Sequence, residues 1–81
     1  MPTLNDLKEN QQGIILSIGS DGKMKRRLID MGVTPGTAIT LRRRAPLGDP
    51  LEFQIMGYRL CIRKSEAKKI QIEGITTHEG A

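Results

Sequence analysis

A small, mainly β barrel of about five short strands with one inserted α-helix is the architecture this sequence predicts, and three observations predict it. Apolar and polar residues alternate along several short stretches, as in Leu51-Glu52-Phe53-Gln54-Ile55, which is the period of a half-buried strand. The i, i+4, i+7 spacing of an amphipathic helix is clear around Met24, Leu28 and Met31. Turn-forming pairs such as Pro35-Gly36, Gly48-Asp49 and Met56-Gly57 break the chain at short intervals. A sheet so small leaves costly open edges unless it curls on itself, so a barrel is expected.

The elements follow in order. Thr3 is placed to cap a short helical turn through Leu4 and Leu7, its hydroxyl accepting from free amide groups. Gly13 to Ile18 is a strand with Ile14, Leu16 and Ile18 facing one way and Ile15 and Ser17 the other. Gly19-Ser20-Asp21-Gly22 is a loop, and Ser20 or Asp21 suits the N-cap of the helix. Met24, Leu28 and Met31 form the buried stripe of that helix, and Arg26 and Asp30 are spaced to pair on its wet face. Asp30 opposes the macrodipole at the helix end. Gly32 suits a left-handed stop, which lets Val33 fold back onto Leu28. Pro35-Gly36 suits the centre of a type II turn.

Thr37 to Arg44 is the next strand, with Ile39 and Leu41 inward and Thr40, Arg42 and Arg44 outward. Ala45-Pro46-Leu47-Gly48-Asp49-Pro50 cannot be a central strand, because its prolines lack amide donors. Leu51, Phe53 and Ile55 face in along the third strand, Met56-Gly57 closes a tight hairpin, and Tyr58, Leu60 and Ile62 face in along the fourth. Ser65 caps one turn, Glu66-Ala67-Lys68, before a closing strand with Ile70 and Ile72. Residues 1–74 are expected to form one domain and 75–81 a flexible polar tail. The inward residues of these strands pool into one core, with Leu28 sealing one end: a small SH3-like barrel.

Composition narrows the function. The chain has 81 residues, enough for one thin-cored domain. Its net charge of +4 by itself suits a basic solvated surface slightly better than a partner, and leaves nucleic acid, an acidic protein surface and an anionic membrane face open. No run of ~18 apolar residues exists to span a bilayer. Met1 to Asp6 lacks the regions of a signal peptide, and a single cysteine forms no internal disulfide, so a cytoplasmic protein is expected. There is no phosphate-binding Gly-Lys-Ser/Thr loop and no paired catalytic set, so no enzyme is expected. Cys61 as a nucleophile lacks a nearby histidine base, and a packing role suits it better.

Two features suit a partner. The proline-stiffened loop carries Leu47 as an exposed knob, shaped by Gly48 and Asp49, at a reduced ordering cost. Lys25-Arg26-Arg27 and Arg42-Arg43-Arg44 are basic clusters, with Arg26, Arg42 and Arg44 expected to steer the chain to an acidic protein surface or to peripheral contact with anionic headgroups. Three consecutive arginines at a strand end also push one towards core parity, a poor choice for stability alone. No nucleic-acid partner is expected, and a nucleic-acid-binding module stands only as a third, lesser alternative, because Phe53 and Tyr58 are the sole aromatic residues and offer little stacking platform. A tight metal site or cofactor is not expected either: Cys61 and His78 are far apart, and Glu79 adds one oxygen at most.

Arg27-Leu28-Ile29-Asp30-Met31-Gly32-Val33-Thr34-Pro35-Gly36, then Ala45-Pro46-Leu47-Gly48-Asp49-Pro50, then Gly57-Tyr58-Arg59-Leu60-Cys61-Ile62-Arg63-Lys64-Ser65-Glu66-Ala67, together resemble the ferrous iron transport protein A (FeoA) family. The resemblance runs from Leu4 to Ile72, with Cys61 where an apolar residue or alanine is expected. It implies a small cytoplasmic SH3-like accessory protein, without catalytic residues, that assists the FeoB-type membrane Fe(II) transporter by contacting its cytoplasmic GTP-binding part. The same module is similar to the C-terminal domain of iron- and manganese-dependent repressors. That makes a metal-responsive interaction domain the competing reading, while a whole repressor with its DNA-reading helices is not expected.

Overall fold

The computed structural model describes residues 1–19 and 22–77. A 3-10 turn, Leu4–Asp6, leads into strand β1, Gln11–Ile18; helix α1, Gly22–Asp30, then separates β1 from β2, Ala38–Arg44. Strands β3, Leu51–Ile55, and β4, Tyr58–Ile62, follow as a hairpin, and the short helix α2, Lys64–Ala67, leads to β5, Ile70–Thr77. The strands form one antiparallel sheet in the order β4-β3-β2-β1-β5. Every strand sends side chains into the same core, so the sheet wraps around them in the SH3-like manner. Ile39, Leu41, Leu51, Phe53, Ile62, Ile70 and Ile72 are fully buried there, and Leu28 of α1 joins them with Met24 and Met31 packed alongside.

The junction after α1 follows the local sequence closely. Gly32 has φ +94°, its N–H donates to the Ile29 carbonyl (2.9 Å), and the Val33 N–H donates to the Leu28 carbonyl (2.9 Å). This is the paired bonding of a Schellman stop, which satisfies two carbonyls and drives Val33 into the core beside Leu28. Gly36 has φ +90° and the Thr37 N–H bonds to the Thr34 carbonyl (3.1 Å), as a type II turn requires.

Several expectations are corrected. In β1 the buried residues are Gly13, Ile15 and Ile18, while Ile14 and Leu16 are half-buried. The register between β1 and β5 shifts between Ile15 and Ser17, and the extra residue of such a bulge resets which side faces inward. Tyr58 is 43% exposed and stands at the rim of the core, its hydroxyl so close to Gly32 that a Cβ there would collide with it. Strand β5 runs on to Thr77, paired with Gln11, so residues 75–77 belong to the sheet rather than to a flexible tail. Positions 78–81 of that expected tail, and the Ser20 or Asp21 cap, lie outside the described residues.

The capping details differ as well. The Thr3 hydroxyl donates to the Asp6 carboxylate (3.3 Å) instead of accepting, and the Thr3 N–H donates to the same oxygen (2.8 Å). Helix α2 starts one residue before Ser65, and its opening is closed by Glu66, whose carboxylate accepts the Arg63 N–H (3.2 Å). The ion pairs among the described residues are Arg27–Glu66 and Arg59–Glu52, so the expected Arg26–Asp30 pair is not formed. Leu4 and Ala67, from the two short helical pieces, and Leu7, just after the first, are buried in the core.

Candidate interaction surface

The β2–β3 loop, residues 45–50, is built by its own backbone. The Ala45 N–H donates to the Pro50 carbonyl (3.1 Å) and the Gly48 N–H to the Ala45 carbonyl (2.7 Å), with Gly48 at φ +85°. A residue with a Cβ would be strained at that angle, so Gly48 sets the bend. Asp49 turns back into the molecule, and its Oδ1 accepts the Lys64 N–H (2.9 Å). That bond satisfies an otherwise orphaned amide at the start of α2 and ties the loop to the body. Leu47 is left at the tip, 95% exposed.

The arginines that follow one another in sequence have different surroundings. The register between β2 and β3 shifts between Leu41 and Arg43, so Arg42 is an added residue in the ladder. The bulge answers the parity problem of three consecutive arginines. Arg42 and Arg43 are exposed, and Arg44 is half-buried. Arg44 Nη2 donates to the carbonyls of Asn5 (2.5 Å) and Leu7 (3.0 Å), and its Nη1 donates to Asn5 Oδ1 (3.3 Å). It therefore fastens the 3-10 turn to the sheet, and little of its guanidinium remains for a partner. Arg42 stays outside, with Nε on Gln54 Oε1 (2.8 Å) and Nη1 on Asn10 Oδ1 (3.4 Å).

Arg26 lies on the exposed face of α1, beside an open groove lined by Gly22, Lys23, Lys25 and Ile29 as well. Its neighbour Arg27 is tied to Glu66 of α2. Because α2 bonds to Asp49 through Lys64 and to Arg27 through Glu66, it stands between the loop and α1. The six residues singled out from sequence thus divide by role. Leu47, Arg26 and Arg42 are displayed; Gly48 and Asp49 shape and tether the Leu47 loop, and Arg44 fastens the N-terminal turn. Sequence reasoning passed over Met56, 86% exposed at the β3–β4 turn, and Ile29, 40% exposed on α1. Ile29 is legible as an apolar residue out of phase with the Met24-Leu28-Met31 stripe; Met56 carries only a turn signal.

Cys61 is exposed on β4, and the described residues hold no group of three or more His, Cys, Asp or Glu able to share a metal ion. His78 and Glu79 lie outside the described residues. Among the described residues no helix is long and apolar enough to cross a membrane.

A family model described as FeoA domain matches residues 3–74. The Fe(2+) transport protein A/Fe(2+) transporter FeoB fusion protein of Porphyromonas gingivalis is 33% identical over 75 residues, which is 93% of this chain but 9% of that protein's length. An NMR structure of a FeoA-like protein from Clostridium acetobutylicum superposes with a TM-score of 0.83 at 35% identity, covering 98% of this chain and 92% of the other. A crystal structure of Stenotrophomonas maltophilia FeoA complexed with zinc, described as a procaryotic SH3 domain protein, gives 0.79 at 26% identity, over 90% and 91% of the two chains. On this match the chain belongs to the FeoA family, a family of ferrous iron transport.

Proposed function

We propose that this chain is a non-enzymatic, cytoplasmic accessory protein of ferrous iron uptake that works by docking on the cytoplasmic GTP-binding part of a FeoB-type transporter. The observation that carries the reading is the Porphyromonas gingivalis fusion, in which a segment matching nearly all of this chain is joined to FeoB in one polypeptide. Covalent fusion raises the effective concentration of two modules for each other, so it is selected most readily between modules that already meet. The surface fits such a task. Leu47 is a single apolar knob on a loop already bonded in place, which lowers the ordering cost of docking. Arg26 and Arg42 add exposed positive charge that speeds encounter with an acidic surface and weakens with added salt.

A pull-down of the transporter's soluble cytoplasmic part, with and without a non-hydrolysable GTP analogue, tests the proposal. Wild-type chain is expected to be retained, and Leu47→Asp to be lost while keeping its fold by circular dichroism. Equal retention of both proteins would remove the loop from the interface. Failure of the wild type with and without nucleotide would reject docking itself.

A further inference from the structure

The two edges of the sheet are finished differently. The edge of β5 is covered at its start by the N-terminal residues: the Ile72 N–H donates to the Pro2 carbonyl (3.0 Å), and Thr3 bridges Gln71. Among the described residues, strand β4 pairs with β3 alone. The β3–β4 hairpin turns through Met56-Gly57, with Ile55 opposite Tyr58, Phe53 opposite Leu60 and Leu51 opposite Ile62. In an antiparallel hairpin with a two-residue turn, those pairs exchange the backbone bonds, and the residues between them point their N–H and C=O groups away. On β4 these are Arg59 and Cys61, both exposed, and no described segment bonds to their outward backbone groups.

We propose that the β4 edge, Tyr58–Ile62, accepts an extended acidic segment of a partner protein as an added antiparallel strand. An open edge is a template for any strand, so its side chains decide which one. Arg59 and Arg63 stand on the outer face of this stretch, on either side of Cys61; Arg59 also contacts Glu52 Oε1 (3.3 Å) on the neighbouring strand. A second copy of the chain is disfavoured. Every antiparallel register that joins the outward groups of two β4 strands sets Arg59 directly opposite, or diagonally across from, an arginine of the other copy. Like charges so placed repel, whereas glutamates or aspartates at those positions attract. The same arginines thus guard the edge against self-association and select its guest. This inference concerns a different surface from the Leu47 loop and does not depend on the identity of the transporter.

The probe is a seven-residue peptide alternating valine and glutamate, blocked at both ends, titrated into 15N-labelled chain. Shift changes and slowed amide exchange centred on Arg59 and Cys61 are expected. A valine–lysine peptide is expected to bind at least tenfold more weakly. Cys61→Pro removes the outward N–H without removing a bond to β3, so the fold should persist while binding falls at least tenfold. Should that variant lose its fold, the same peptide N-methylated on alternate residues applies the block from the other side. Equal binding of the two peptides, shifts centred away from β4, or concentration-dependent dimerisation of the free chain through this edge would each overturn the proposal.

Discussion

The two basic triplets look alike in sequence and behave differently in the fold. Lys25-Arg26-Arg27 sits on a helix, where consecutive residues fan out by the helical period, and all three are exposed. Arg42-Arg43-Arg44 sits on a strand, where strict alternation would send Arg43 inward. The bulge before Arg43 spares it, and Arg44 instead reaches two backbone carbonyls of the N-terminal turn. Each triplet therefore yields one arginine to the structure, Arg27 to Glu66 and Arg44 to Asn5 and Leu7. The difference lies in the surroundings: a half-buried guanidinium held by backbone carbonyls in one case, an exposed guanidinium reaching a mostly covered carboxylate in the other. Clustered charge in a sequence marks a basic region, but backbone geometry decides which members remain available.

Substitutions can break this comparison. Arg44→Ala is expected to have the largest effect on stability, about 2–3 kcal/mol, because it removes charge-assisted bonds to carbonyls that are then left short of partners. Urea unfolding measures it, and a loss no greater than that of Arg27→Ala would erase the distinction between the triplets. Arg27→Ala is expected to cost less, about 1 kcal/mol: the Arg27 side chain is 54% exposed, which screens the pair, and Glu66, 14% exposed, keeps the Arg63 N–H as a partner. Coupling between Arg27 and Glu66 in a double-mutant cycle should be similarly small and should fall as salt is added. Arg26→Glu and Arg42→Glu are expected to leave unfolding within about 0.5 kcal/mol of wild type. Their effect belongs in the association rate with the transporter's cytoplasmic part, which should drop severalfold at low salt and converge with wild type at high salt.

Local chemistry was the legible part of this molecule. The Gly32 stop, the Val33–Leu28 contact, the Pro35-Gly36 turn and the alternation of Leu51, Phe53 and Ile55 each depend on a few adjacent residues, and the fold keeps all of them. The side of β1 that faces inward was not legible. Ile14, Ile15 and Leu16 are consecutive apolar residues, and the bulge that puts Ile15 inside arises in the pairing with β5, a partner far along the chain. The same cause hid the role of Arg44, whose bonding partners belong to the N-terminal turn. Asp49 was legible as a turn former, but its bond to Lys64 depends on where α2 comes to rest. Strand β5 beyond Gly74 was missed because Ile75-Thr76-Thr77 is exposed and takes its order from pairing with β1 rather than from burial.

The central claim is the proposal that this chain acts by presenting Leu47, together with the exposed Arg26 and Arg42, to the transporter. Adding the unlabelled cytoplasmic part of a FeoB-type transporter to 15N-labelled chain, and following each amide, tests it most directly. The account predicts broadening or shifts concentrated at residues 46–49 and around Arg26 and Arg42, abolished by Leu47→Asp. An unchanged spectrum at saturating partner, or changes confined to residues remote from the loop and α1, would contradict it.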